Sequence, residues 1–418
     1  MAADKRPQPE DDVSDLAPVQ EEGRIESLDV MRGFAVLGIL IVNAAFFAAP
    51  WQSSQNPMLP PLAITEATLW SWYGMHVLFE YKCITLFSLL FGASICLVGG
   101  DTNDRARSAL LTRRLLWLLV FGIIHGALIW YGDVLVVYAL TGFLVMRLRS
   151  WPPIRQLVFG VGVLAFSIGA SALLAWSFDH LTWDQIIGIK QAIWAPTPAD
   201  VARIEAAYRG GFVSALAENF STWIEYVSGA AGIIVRTAGV MLIGMGLLRS
   251  GFLAGRAPLF VYWLALGAGA IAFALIGWQA WLNWLARFDF MHMQTRGHFA
   301  NTALSIFCSL FYAALFILLV KARVRFVTRP LAAVGRMAFT NYLTQSLIMT
   351  TIFWSGRGLG LYGEVDRPTL MGIVAAVWVL QLVWSPLWLA RFRMGPLEWA
   401  WRRLSYGKPI AMAKGAPA

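Results

Sequence analysis

Apolar runs of roughly twenty residues, separated by short polar segments, recur along this chain. Each is near the length a helix needs to cross a hydrocarbon core of ~30 Å. Spans are expected at about 31–49, 80–99, 115–131, 133–148, 155–178, 227–248, 258–282, 300–320, 335–354 and 370–390. The fourth is short, and its link to the third through Tyr131-Gly132-Asp133 makes that pair a helical hairpin. The fold class is therefore all-α, a polytopic integral membrane protein of about ten transmembrane helices.

The segments between the runs differ in kind. Residues 1–23 are polar, lack apolar periodicity and read as a disordered tail. They do not resemble the basic, then apolar, start of a cleavable signal, so the first membrane helix is expected to serve as the targeting signal. Residues 50–79 begin with scattered prolines and end in an aromatic piece, Leu69 to Phe79, expected to lie at the membrane interface with Trp70, Trp72 and Tyr73 at headgroup depth. The long segment 179–226 has apolar spacing suited to amphipathic helices on the outer face. Residues 394–403 read as a short basic interfacial helix. Four parts follow: the tail at 1–23, an N-terminal membrane half at 24–178, the outer segment at 179–226 and a C-terminal membrane domain at 227–418. No internal repeat is visible, so an inverted-repeat transporter is not supported.

Composition strengthens the membrane reading. Of the 418 residues, 58% are hydrophobic and 14% charged, well below the roughly 25% charge of ordinary globular chains. The net charge of +9 lies in short clusters between apolar runs, which sets topology and forms no nucleic-acid-binding stripe. With the N-terminus inside, 24 of the 33 lysines and arginines face one side and 7 the other. That excess predicts both termini in the cytoplasm, with membrane lipid as the surrounding partner. The cysteines, Cys83, Cys96 and Cys308, sit inside apolar runs without paired spacing and read as packing residues.

Against this apolar background a few polar residues stand out. The stretch Arg24 to Phe47 opens polar and then becomes apolar except for Asn43, which lies ~18 Å in from Met31 on a straight helix. Ser27 and Asp29 can cap the helix start, and Arg32 at headgroup depth can hold a phosphate or carboxylate by two bonds. On helix physics alone, Asp29 reads as a cap and Arg32 as an interfacial anchor. His125 is the one histidine inside a run, at a depth close to that of Asn43. A buried neutral imidazole can act as general base or accept an acyl group; equally, it can be a structural hydrogen-bonding residue. Asp133 can orient His125 only if the hairpin folds inward, and as N-cap of the following helix it is already explained.

Arg236 lies roughly 15 Å from the outer end of its run, too deep to snorkel, and no carboxylate sits at mid-depth in any run. Backbone carbonyls, water or an anionic ligand are left as its partners. Asn341, Gln345 and Gln381 fall at comparable depths, and with Asn43, His125 and Arg236 they can line one polar chamber. Glu80 and Lys82 mark the outer start of the second run and either close that chamber or form a surface pair. Arg32, Arg113 and Arg114 suit the phosphates of a nucleotide-bearing donor, although topology alone requires such charges. No Walker A, GxGxxG, HExxH or GxSxG pattern stands in a suitable context, so ATPase, dinucleotide, zinc-protease and serine-hydrolase motifs are absent and no metal site is expected.

The Leu28-Asp29-Val30-Met31-Arg32-Gly33 opening resembles the start of the transmembrane acyltransferase-like superfamily, which includes the lysosomal heparan-α-glucosaminide acetyltransferase. The chain more closely resembles the YeiB-like bacterial membrane proteins, whose C-terminal half is domain of unknown function 418. Four pieces carry that resemblance: Leu28–Asn43; Phe87-Ser88-Leu89-Leu90-Phe91-Gly92; His125 through Gly132-Asp133; and Gly335-Arg336-Met337-Ala338-Phe339-Thr340-Asn341-Tyr342 with Gly395-Pro396-Leu397-Glu398-Trp399.

The wider resemblance implies acyl transfer across a membrane, with acyl-CoA as a cytoplasmic donor and a glycan or small molecule outside as acceptor. In the heparan-type enzymes an Asn in the first helix and a His in the following outer loop look functional. Asn43 matches the first, but residues 50–75 contain no histidine, so His125 would take that role. The resulting assignment is His125, Asn43 and Asp133 for chemistry, and Arg32, Arg114, Arg236, Asn341 and Gln345 for binding. The runner-up is a transporter or exporter of a small polar or anionic solute lined by the same residues. A membrane component without turnover is the third.

Overall fold

The computed structural model describes residues 24–59 and 65–414. The tail expected over 1–23 lies outside the described residues. Every regular element among the described residues is helical, and the one strand-like contact is an isolated antiparallel bridge between Phe392 and Ala413.

In chain order, α1 (Glu26–Ala48) is followed by the single turn α2 (Gln52–Gln55) and by α3 (Glu66–Leu78), which leads into α4 (Lys82–Gly99). The hairpin pairs α5 (Arg105–Leu128) with α6 (Leu135–Val145), which tightens into a 3-10 segment, Met146–Ser150. After α7 (Pro153–Ser177) come three shorter helices, α8 (Trp183–Ile193), α9 (Pro198–Arg209) and α10 (Phe212–Ser228). Two long helices follow, α11 (Ala231–Arg249) and α12 (Leu259–Leu285), then the turn α13 (Phe290–His292) with a π-helical continuation, Met293–Gly297. The chain closes with α14 (Phe299–Lys321), α15 (Arg325–Arg336), α16 (Ala338–Phe353), α17 (Arg367–Arg391) and α18 (Pro396–Tyr406).

Polar side chains mark where several helices begin. Asp104 accepts the Arg107 amide at 2.8 Å to start α5, and Asp366 accepts the Thr369 amide at 2.9 Å to start α17. Thr182 with Gln185 and Thr197 with Asp200 form capping boxes at α8 and α9. At α1 the expectation changes. The helix starts without a side-chain cap, and Asp29, buried in the first turn, pairs instead with Arg24 and Arg32. Ser27 turns away to the Leu253 carbonyl at 3.4 Å.

Among the described residues, eight helical segments are long and apolar enough to cross a membrane, which makes this a membrane protein: α1, the α3–α4 segment taken together, α5, α7 with its extension to His180, α11, α12, α14 and α17. The sequence pattern suggested about ten. The other two apolar runs fold as α6, 11 residues, and α16, 16 residues, which are too short for that criterion. Both are largely enclosed by other helices, so neither must match the thickness of the hydrocarbon core.

Two-thirds of the most apolar window of α1 is buried (67%), against 11% for α7. α1 is therefore the central helix, packed by α4, α14, α15, α16 and α17, while α7 presents Val158, Val161 and Phe166 outward. That outer apolar surface suits lipid. Close packing at the centre depends on glycine. A Cβ on Gly33 would run into the Leu331 carbonyl, and one on Gly335 would run into the Asp29 carbonyl. These reciprocal contacts let α1 and α15 touch backbone to backbone, as small residues do where membrane helices cross. They also fix where the neighbouring Arg32 and Arg336 emerge.

Candidate active site

At the turn of the α5–α6 hairpin the chain folds inward. Asp133 Oδ2 accepts the Val136 amide at 2.8 Å, which starts α6, and Oδ1 lies 2.9 Å from His125 Nδ1. Asp133 is thus the histidine's partner through one oxygen, while the other holds an amide of the first turn of α6, whose N-cap is Val134 rather than the expected Asp133. The other imidazole nitrogen, Nε2, lies 2.9 Å from the Ser346 hydroxyl of α16. All three side chains are buried. With the Nδ1 proton directed at Asp133, Nε2 is left as an acceptor for the serine O–H. This gives an Asp-His-Ser relay of the kind that activates a hydroxyl nucleophile. Trp130 and Tyr342 wall it, with ring centres 6.3 Å and 5.2 Å from that of His125.

Beneath the relay runs a cavity of ≈ 270 Å³, lined by α1, α4, α5, α6, α15, α16 and α18. Its inner wall includes Val134, Tyr138 and Tyr342. Val134 is the neighbour of Asp133, and its amide donates to the Tyr342 hydroxyl at 3.4 Å. Tyr342 is one helical turn before Ser346, so the cavity ends one side chain short of the relay. The opposite end carries Arg24, Arg32, Arg114, Arg336 and Arg402, with Asp29 and Glu398 as its carboxylates. The mouth is cationic and the interior apolar.

Three of the groups at the mouth are held in place by their neighbours. Arg32 donates to Asp29 at 3.1 Å and to Ser94 at 2.7 Å. The Arg114 guanidinium stacks over the Trp401 ring at 4.1 Å, while the Trp401 indole N–H donates to the Arg114 carbonyl at 2.9 Å. Glu398 accepts the amides of Phe339 and Thr340 at 2.7 and 3.1 Å and the Thr340 hydroxyl at 2.6 Å, capping α16 from α18. Burial raises the Glu398 carboxyl above its ordinary value, against the opposing pull of those hydrogen bonds.

The remaining candidates fall into other groups. Asn341 is buried and fully engaged: it donates to the Val334 carbonyl and to Ser385, and accepts from Trp384. Gln345 donates to Gln381 at 2.8 Å and to the Val36 carbonyl at 3.4 Å. Together they lace α16 to α17 and α1. Asn43 is half-buried on α1 and makes no side-chain hydrogen bond among the described residues. Arg236 donates to Ser305 at 2.8 Å and faces the Tyr81 ring at 5.6 Å. The single chamber expected from depth resolves into separate clusters.

Glu80 and Lys82 belong to one of these. The buried Lys82 amine donates to the His76 carbonyl at 2.7 Å and to the Asn301 side chain, and Glu80 contacts His76. The residue between them, Tyr81, has φ 62°. A non-glycine residue in this left-handed region breaks the α3–α4 segment inside the bundle, a costly conformation that surrounding contacts must hold.

Sequence reasoning did not single out Ser346, Tyr342, Glu398 or Arg402. A serine inside an apolar helix carries no distinguishing pattern, and its partner is 221 residues away. The signal available for Glu398 was its place in the Gly395–Trp399 piece. Among the described residues, no group of three or more His, Cys, Asp or Glu is arranged to hold a metal ion.

A model of a protein family of unknown function, DUF418, matches residues 247–408. Over 91% of its length the chain is 34% identical to the uncharacterized protein YeiB of Escherichia coli K12, covering 95% of that protein. It is 33% identical to the uncharacterized protein YxaH of Bacillus subtilis 168, with 96% of this chain and 99% of that one aligned. A third relative, an uncharacterized 39.9 kDa protein of Bacillus acidopullulyticus, is 26% identical over 96% of this chain and all of its own. No solved structure matches.

Proposed function

The chain belongs to the YeiB-like DUF418 family, and from its site we propose an integral membrane acyltransferase that takes the acyl group of a cytoplasmic acyl-CoA. The acceptor is a glycan or small molecule on the outer side, or within the membrane. In this reading both termini are cytoplasmic, the membrane is the bacterial inner membrane, and the cationic mouth opens to the cytoplasm. The observation that carries it is one continuous cavity with five arginines at its mouth and the His125 relay behind its apolar end.

The parts divide the work. Arg32 and Arg114, with Arg24, Arg336 and Arg402 beside them, hold the donor's phosphates by charge-assisted hydrogen bonds. The apolar interior takes the thioester arm and excludes water. His125 Nε2, kept as an acceptor by the Asp133 contact at Nδ1, removes the proton of the attacking group. Asn43 and Arg236 serve the acceptor side, while Asn341 and Gln345 hold the wall of the donor side through α16.

Transport is the second reading, and one observation favours it. The interrupted α3–α4 segment, with Lys82 buried beside the break, resembles the broken helices on which transporters build solute sites. Equilibrium binding of radiolabelled acetyl-CoA to the purified protein separates the two. The acyltransferase reading expects saturable binding that weakens strongly in Arg32→Ala and Arg114→Ala. Absence of binding, with solute flux across proteoliposomes, would transfer the assignment to transport.

A further inference from the structure

Beyond a histidine base, and resting on the acyl-transfer reading above, we infer that Ser346 is the nucleophile that carries the acyl group between donor and acceptor. Three features of the site point to it. The Ser346 hydroxyl is 2.9 Å from the imidazole nitrogen that Asp133 does not engage. On α16 it stands one turn beyond Tyr342, which lines the donor cavity. The Trp130 indole N–H, in the wall of the same site, is buried without a hydrogen-bond partner among the described residues. Its ring centre lies 6.3 Å from that of His125, which leaves a spare donor beside the relay, of the kind that steadies an anionic intermediate.

The chemistry balances without another reagent. Ser346 Oγ attacks the thioester carbonyl carbon as its proton passes to His125 Nε2. The C–S bond then breaks, and the departing thiolate takes that proton and leaves as the free thiol. The acyl group remains as an ester on Ser346. In the second half, an acceptor hydroxyl or amine gives its proton to His125 and attacks the ester carbonyl. Ser346 leaves as the alkoxide and recovers the proton. A carried acyl group lets donor and acceptor approach from opposite sides at different times, so no through-channel is required. Access from the cavity passes Tyr342, whose one side-chain hydrogen bond among the described residues, from the Val134 amide, is long at 3.4 Å.

The test uses a fluorophosphonate, which forms a covalent adduct with activated serines and needs no acyl donor. Full-length protein in detergent micelles is incubated with the probe, and the adduct is located by peptide mass spectrometry. The expected result is one adduct per chain, on Ser346, lost in Ser346→Ala. Its formation should slow at least about 100-fold in His125→Gln, the scale of a lost general base. Ser346→Ala and His125→Gln should melt close to the wild type, and Ser171→Ala, at an exposed serine of α7, should be labelled as the wild type is. An unlabelled Ser346 in the wild-type protein, or labelling unchanged by His125→Gln, overturns the inference. Its failure is separable from that of the acyltransferase reading. Acetyl-CoA-dependent transfer undiminished in Ser346→Ala keeps the transferase and removes the acyl-serine. Labelling of Ser346 in a protein that does not bind acetyl-CoA keeps the nucleophile and removes the donor.

Discussion

Arg114 shows how one side chain can serve both structure and binding at the mouth of the cavity. Its guanidinium lies flat on Trp401, which aims it without neutralising it. Truncation to alanine therefore removes a positioned charge, worth about 1.5–3 kcal/mol for a hydrogen bond to an ionised partner. That corresponds to a loss of roughly 10- to 150-fold in acetyl-CoA affinity, measured by equilibrium binding; Arg114→Lys should fall between, because it keeps charge and loses the planar fork. Glu398 makes a pH-dependent prediction. Burial raises its carboxyl above the ordinary value, so the folded state favours the protonated form. The stability tied to that form is fully present below the unfolded carboxyl value, about 4.3, and is lost as pH rises through the raised folded value. Thermal melts in detergent from pH 4.5 to 8 should show Glu398→Gln gaining on the wild type as pH rises, and a constant difference would contradict this. His125 and Asp133 were recognisable in the sequence because a histidine and an aspartate are conspicuous in apolar surroundings. Ser346 was not, because serine is ordinary in a membrane helix and its partner is distant in the chain. Depth alone also grouped Asn43, Arg236, Asn341 and Gln345 with His125, since hydropathy gives height in the membrane but not the direction a side chain faces.

Helices and their contacts were the most legible scale, because apolar length and capping chemistry are local. The start of α1 was the exception: Asp29 has two arginines in reach, and ion pairing there displaces the expected cap. For the short α6 and α16, hydropathy gives the apolar character but does not distinguish a helix buried in protein from one in lipid. Close crossings make firm predictions. Gly335→Leu places a side chain against the Asp29 carbonyl, and overpacking of this kind costs about 1–3 kcal/mol. It should lower the melting temperature and, by moving Arg336 and Arg32, weaken acetyl-CoA binding as well. Helix α10 is fastened to the end of α5 by buried Asn219, which donates to the Gly126 and Ala127 carbonyls at 2.9 and 3.1 Å. Asn219→Leu leaves both carbonyls unpaired and should destabilise by about 1–3 kcal/mol. A melting temperature unchanged in that variant would mean that Asn219 does not fasten α10 to α5.

For the whole molecule, the charge asymmetry of the sequence becomes a structural asymmetry, because arginines from α1, α5, α15 and α18 converge on one end of the bundle. The predicted orientation puts that end in the cytoplasm. The three native cysteines are buried, so single introduced cysteines can report sidedness. A membrane-impermeant maleimide should label Asp200→Cys in intact cells and Lys414→Cys only after permeabilisation. The reverse pattern would place the cationic mouth outside, away from any cytoplasmic donor. The most direct measurement of the central claim follows from this geometry. Protein is reconstituted into sealed vesicles, acetyl-CoA is supplied on the side of the cationic mouth only, and thiol release is followed together with acetylation of glycan or amine acceptors supplied on the other side. The account predicts thiol release matched by acetylated acceptor, both lost in His125→Ala and reduced in Arg114→Ala. Transfer that persists at the wild-type rate in His125→Ala, or no transfer by wild-type protein across a panel of acceptors, would contradict it.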